Sequence, residues 1–219
     1  MVSVRRDAPG QRKSNGKYEA ILRAAIKVFA GSGFFNSKVA DVAREAGVAD
    51  GTVYLYFKNK DDILASIFNQ YMDDALAAGR ASLAEIHDPI EKLRRIVHAH
   101  LEGLGRDRNL AVVFQVELRS STKFMEQFSA TKVTEYLELI REVIEEGQRR
   151  GVFRSGLNTK IVAKVLFGAL DEMATNWVLS HKRYSLVSTA EPVLDVFLSG
   201  IARAQSSKQP ARRVSQSER

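Results

Sequence analysis

Tyr18, Ile21, Leu22, Ala25, Val28 and Phe29 recur three and four residues apart, the spacing that puts them on one stripe of a helix. The stripe stops at Gly31-Ser32-Gly33, where a glycine can take the left-handed conformation that ends helices. Phe34 and Phe35 follow and are expected to enter the core. Ser37 stands where an N-cap is needed for a second helix, whose inner face is Val39, Val42, Ala43 and Ala46. Gly47 supplies a sharp turn, Val48 plugs it, and a short third helix is expected around Asp50–Tyr56. Two short helices joined at a glycine turn, the second polar and aromatic on its outer face, make a helix-turn-helix.

The same three-to-four spacing runs on through the rest of the chain. Asn59 and Asp62 fit the N-cap and third position of a fourth helix, about 60–86. His87-Asp88-Pro89 breaks it, and Pro89 suits the first position of the next. That fifth helix carries Ile90, Leu93, Ile96, Val97, Leu101 and Leu104 on one face, with Gly103 and Gly105 marking a frayed end. Leu110–Leu118 is apolar almost all round, which predicts a buried helix. A seventh helix carries Phe124, Phe128, Val133, Tyr136, Leu137, Ile140, Val143 and Ile144 and ends near Gly147–Gly151. An eighth is expected over 159–180 and a ninth over 192–203.

The prolines agree: Pro9, Pro89, Pro192 and Pro210 lie near the ends or at two internal breaks, and the intervals are rich in Ala, Leu, Glu, Lys and Arg. The expected fold is therefore all-α with about nine helices. A three-helix unit over 15–60 is followed by a larger helical domain over 61–203. A basic arm, 1–14, precedes them, and a polar tail over 204–219 is expected to be disordered.

Charge sharpens this picture. Among 219 residues, 33 Lys+Arg against 26 Asp+Glu give a net +7, but residues 1–60 alone hold 11 against 5. Residues 61–203 hold 18 against 20, and the tail 4 against 1. A basic excess on a small helical unit fits a polyanionic partner. It also fits a solubilising arm, so charge alone leaves the partner open. With 45% hydrophobic and 27% charged residues the composition is that of a soluble globular protein, and no apolar run reaches the ~18 residues of a membrane span. The first 17 residues contain no apolar segment of the secretory kind, and there is no cysteine, which fits a cytoplasmic protein.

Enzyme chemistry finds no support. There is no glycine-rich phosphate loop, no metal-ligand cluster and no defensible Ser/His/acid arrangement. His98 and His100 are two apart and so on different helix faces, while His87 and His181 sit at element boundaries. Asp171 and Glu172 are adjacent and cannot act as a pair from one face, though one of them can serve as a structural or ligand-sensing group. No cofactor and no metal are expected.

The third helix is the candidate reading element, since a helix fits the DNA major groove. Val53 and Phe57 point inward by their spacing, which leaves Asp50, Gly51, Thr52, Tyr54 and Leu55 for the groove. Tyr54, Tyr56 and Thr52 carry hydroxyls that can donate to phosphate, and Lys58 and Lys60 follow at the rim.

The run GFFNSKVADVAREAGVADGTVYLYFKNKDDIL resembles, nearly position for position, the N-terminal signature of TetR-family repressors. The resemblance covers about fifty residues and implies a homodimer that binds a palindromic operator. Carried over residue by residue, it implies that Ser37, Thr52, Tyr54, Tyr56, Lys58 and Lys60 contact DNA. Two positions depart from the pattern. Asp50 stands where many members have a cation or a neutral residue, and it either caps the helix or accepts from a cytosine amino group. Ala49 replaces a common serine cap.

In this family helices 4–7 usually enclose an effector pocket, while helices 8 and 9 pair with their twins. Ile161, Val165, Leu166, Ala169, Val193, Val196 and Phe197 become dimer candidates, with Gly168 permitting close approach. VFQVELRSS, EGQRRGVFR and GALDEMATNWVLS resemble the acyl-CoA-responsive, FadR-type branch that represses fatty-acid degradation. A long acyl chain needs an apolar tunnel, for which Leu101, Leu104, Val113, Phe114, Tyr136, Ile140, Leu170, Met173 and Trp177 are candidates. The CoA phosphates need cations, for which Arg106, Arg108, Arg119 and Lys123 are available. The resemblance thus implies a repressor released from an inverted-repeat operator by long-chain acyl-CoA. An efflux-pump repressor responding to a lipophilic drug is the alternative effector class, and a non-specific DNA-compacting protein the alternative outside repression.

Overall fold

The structure, a computed structural model, describes residues 9–120, Phe124, Glu126 and residues 131–202, with side chains from Gly16 onward. Phe128, Lys123, residues 1–8 of the expected arm and the expected tail lie outside the described residues.

Two glycines set the corners of the N-terminal unit. Helix α1 (Pro9–Ser32) ends where Gly33 takes φ +79°, and α2 (Val39–Ala46) ends at Gly47 with φ +67°. Both lie in the left-handed region that a Cβ penalises. Helix α1 already begins at Pro9, so residues 9–14 of the expected arm are helical. Helix α3 (Asp50–Tyr54) is shorter than expected. Ser37 is not the cap of α2: Lys38 holds that position, its N–H donating to Asp41 Oδ2 at 2.9 Å. Asp50 does not cap α3 either, for the cap position is Ala49 and no side chain accepts there. Phe34 is buried, but Phe35, the next residue of the tight turn that Ser37 N–H closes onto Phe34 O, is 65% exposed.

Helix α4 (Lys60–Leu83) starts as expected, with Asn59 Oδ1 accepting from Asp62 N at 2.9 Å, and ends three residues early. Asp88 caps α5 (Pro89–Gly105), whose Pro89 needs no donor at the first turn. Gly103 is not a frayed end. It lies within α5, and a Cβ there would stand 2.5 Å from Tyr71 Oη. Helix α6 (Arg108–Val112) runs into a π-helical turn, Val113–Glu117, and a 3₁₀ turn, Leu118–Ser120. This segment buries Ala111, Val113, Gln115 and Leu118 but leaves Val116 exposed, so it is not apolar-packed all round. Then come α7 (Lys132–Arg149), α8 (Thr159–Leu179) and, after a 3₁₀ turn at Leu186–Thr189, α9 (Ala190–Ile201). On α7 the fully inward residues are Leu139, Ile140, Val143 and Ile144, with Leu137 only half-buried. The described residues contain no strand, only one isolated bridge between Phe153 and Ala202.

Apolar burial falls into two clusters. The first joins Ile21, Phe29, Val42, Val53 and Phe57 to the N-terminal half of α4 and to Val113, Leu118 and Phe124. The second joins α5, α7, α8 and α9 through Leu93, Leu101, Ile140, Leu166, Leu170 and Leu194. Tyr71, Phe114 and Tyr136 pack against both.

Candidate nucleic-acid interface and ligand cavity

Val53 and Phe57 anchor α3 from below, fully buried, and so decide what the helix presents outward. Leu55 is 82% exposed and Tyr54, Asp50 and Gly51 also face solvent, while Thr52 is half-buried. Tyr56 is half-buried too, its ring tilted against Tyr18 at 6.2 Å and Phe57 at 6.4 Å. Lys58 is exposed, and its ammonium has no partner among the described residues. Two expected contacts are corrected. Ser37 is buried, with Oγ donating to Gly33 O at 2.6 Å, so it closes the turn between α1 and α2. Lys60 Nζ donates to Phe34 O, Phe35 O and Ser37 O at 2.5, 3.2 and 2.9 Å and lies 4.4 Å from the Phe34 ring centroid. All three of its N–H groups are used inside the protein.

Above this unit, α4, α5, the α6 segment, α7 and α8 surround a cavity of about 430 Å³, within the usual range for small-molecule sites. One wall is α4, where Ala75, Ala78, Gly79 and Ser82 recur at three- and four-residue spacing. Tyr136 and Leu139 of α7 continue the lining, Leu139 lying close against Gly79, and Phe68, Tyr71, Phe114 and Leu118 close the end nearest the helix-turn-helix. The polar groups are few. His100 Nδ1 meets Tyr136 Oη at 3.0 Å, and His100 Nε2 is buried without a partner among the described residues. Burial holds His100 down at about 4, and it also raises the Tyr136 hydroxyl well above the ordinary phenol range. Both are neutral at pH 7. Gln115 accepts from Thr175 Oγ1 at 2.9 Å.

Cations reach the cavity from its rim. Arg119 is ion-paired with Asp171, and Arg106 is exposed with Glu102 3.8 Å away. Arg95 is exposed and has no partner among the described residues. Of the expected lining, Leu104, Arg106, Phe114, Arg119 and Tyr136 stand on the cavity. Leu101, Ile140 and Leu170 do not, being fully buried inside the second apolar cluster, and Val113 is buried in the first. Met173 packs on the second cluster outside the cavity. Arg108 and Trp177 belong to each other: the guanidinium lies 4.9 Å from the indole and donates to Val178 O and Ser180 O. Trp177 Nε1 in turn donates to Tyr184 O at 2.9 Å. Tyr71, His100, Phe167 and the α4 wall were not expected. The signal for the wall was the Ala/Ala/Gly/Ser series at positions where a packed helix would carry Leu.

Of the interface candidates, Ile161, Val165 and Val196 are exposed, Val196 by 76%, and a Cβ at Gly168 would meet open space. Ala169 and Val193 are half-buried. Leu166 and Phe197 are corrected: both are buried in their own protomer's core, one helical step from the exposed stripe. Exposed Leu179 lies at the far end of α8.

Comparison with known proteins decides what this arrangement belongs to. Residues 21–67 match the bacterial regulatory proteins of the tetR family, and residues 68–200 match the C-terminal region of YsiA-like proteins. The chain belongs to the TetR family. It is therefore a DNA-binding transcriptional regulator, as the sequence signature implied, and not an enzyme. The chain is 37% identical over 190 residues to the fatty acid metabolism regulator protein of Bacillus subtilis, covering 87% of this chain and 98% of that one. Among solved structures, the fatty acid degradation regulator FadR of Bacillus halodurans superposes with a TM-score of 0.81 at 37% identity, over 90% of this chain and 98% of that one. FadR of Bacillus subtilis, solved in complex with stearoyl-CoA, gives 0.80 at 37% identity, over 84% and 99%. No helix among the described residues is long and apolar enough to cross a membrane.

Proposed function

We propose that the chain is a cytoplasmic homodimeric repressor that holds an inverted-repeat operator and is released by a long-chain acyl-CoA, so controlling genes of fatty-acid degradation. In this reading residues 15–60 read DNA, with Thr52, Tyr54, Leu55, Tyr56 and Lys58 as contacts, and residues 61–203 bind the effector and dimerise through the exposed stripe of α8 and α9. The cavity carries the reading. Its surface is predominantly apolar, as an alkyl chain requires, and its rim offers Arg95 and Arg106 to phosphates. The stearoyl-CoA held by the Bacillus subtilis relative supports the same class of ligand.

The route from cavity to DNA runs through the π turn. Phe114, Gln115 and Leu118 line the cavity, and Glu117 between them accepts from the Phe34 N–H at 2.6 Å, in the corner between α1 and α2. A ligand that repacks Phe114 thereby shifts the unit that carries α3. Release requires the ligand to prefer the non-binding conformer, and a tenfold effect on DNA affinity needs about 1.4 kcal/mol of preference.

The test is binding to an inverted-repeat operator, selected from random DNA by the protein, at fixed salt. Release by a C16–C18 acyl-CoA but not by CoA or the free acid is the expected result. Arg95→Gln combined with Arg106→Gln should raise the acyl-CoA concentration needed. Tight operator binding that ignores acyl-CoA but responds to aromatic cations would replace the effector class with lipophilic drugs.

A further inference from the structure

Most of the cavity surface is apolar, and three of its polar side chains converge from three helices. Tyr71 of α4, His100 of α5 and Tyr136 of α7 all stand on its wall. Tyr136 Oη and His100 Nδ1 satisfy each other at 3.0 Å. A phenol is the stronger acid of the two, so its O–H donates and the imidazole proton is left on Nε2. The Tyr71 hydroxyl makes no hydrogen bond with any described residue, although its ring is packed edge-on against Phe114 at 4.9 Å. Room for that hydroxyl is provided on the neighbouring helix. Gly103 lies inside α5, and a Cβ there would stand 2.5 Å from Tyr71 Oη. A glycine in a helix interior costs up to about 1 kcal/mol relative to alanine, so the gap is maintained against helix propensity.

We propose that the Tyr71 hydroxyl donates a hydrogen bond to the thioester carbonyl of a bound acyl-CoA and so distinguishes the thioester from other alkyl ligands. The inference rests on the acyl-CoA reading above. The subsite suits an uncharged carbonyl, since the Tyr71 phenol and the imidazole beside it are both neutral.

The experiment compares palmitoyl-CoA with S-hexadecyl-CoA, a thioether with the same chain and headgroup but no thioester carbonyl, by calorimetry on the full-length protein. The wild type should favour the thioester by roughly 3- to 10-fold, the range expected of one neutral hydrogen bond. In Tyr71→Phe, which keeps the ring and loses only a hydroxyl without a partner, that ratio should fall to about one. Gly103→Ala, which displaces the hydroxyl without removing it, should lower the ratio in the same direction. Equal affinities in the wild type, or a Tyr71→Phe variant that weakens both ligands alike, would overturn the assignment while leaving the acyl-CoA reading standing. Failure of both ligands to bind the wild type would overturn both.

Discussion

Lys60 separates two accounts of the same residue, because position in the signature implies a phosphate contact and geometry implies an internal staple. Its ammonium sits among the carbonyls of Phe34, Phe35 and Ser37, which close the corner between α1 and α2, and over the Phe34 ring. In Lys60→Met those three carbonyls lose their shared donor. A hydrogen bond to a charged group is worth about 1.5–3 kcal/mol when buried; with a half-exposed site and non-additive partners, the whole staple comes to about 1–3 kcal/mol. For a chain of this length that corresponds to a Tm lower by about 2–12 °C. The DNA readout moves differently. A phosphate contact adds about 0.9 per charge to the slope of log K against log salt, so a true contact in each protomer would remove about 2 on substitution. The staple predicts an unchanged slope. Lys58→Met is the counter-experiment, expected to flatten the slope and leave Tm alone. A Lys60→Met variant with wild-type Tm and a flattened slope would refute the reasoning.

Three further outcomes follow from the same geometry. Glu117→Ala, which removes the acceptor of the Phe34 N–H, should leave acyl-CoA binding within about twofold yet reduce operator release several-fold; release equal to wild type would break the proposed route. Gly147→Ala would put a Cβ 2.0 Å from Cδ2 of the fully buried Phe153 ring, and such overpacking should cost at least about 2 kcal/mol and lower Tm by about 4–8 °C; an unchanged melt would show that the ring moves freely. His100 is held at about 4 by burial against an unfolded value near 6.5, so the unfolded chain binds the proton first; the stability this contributes is complete above pH 6.5 and is lost as pH falls toward 4, about 3 kcal/mol in all. Denaturant melts of His100→Gln should accordingly fall less steeply between pH 6.5 and 4.5 than those of wild type, and parallel curves would sink the assignment.

What the sequence disclosed was whatever the chain settles locally. The left-handed glycines at 33 and 47, the Asn59 cap and Pro89 at a first turn depend on neighbours a few residues away, and all four stand where spacing put them. Val53 and Phe57 were equally readable, since residues four apart across so short a helix and its exit share one inward face. Pairings across the fold left no such trace. Glu117 reaches a backbone N–H 83 positions earlier, and Lys60 looks like any basic residue at a helix start. The cavity lies away from much of the expected lining for a physical reason. Large apolar residues such as Leu101, Ile140 and Leu170 were expected to line it, but large side chains fill space, and those three form solid core. The space lies beside small ones.

That α4 wall of Ala75, Ala78, Gly79 and Ser82 has a consequence for how regulators of this kind diversify after gene duplication. Each position is a place where one added methyl or isopropyl group takes space from the cavity. At Gly79 a Cβ would already touch Leu139 at 3.3 Å. None of the four belongs to the exposed face of α3. A duplicated copy can therefore acquire a new preferred chain length while still competing for its parent's operator, and only later changes at Tyr54 or Leu55 would give it an address of its own.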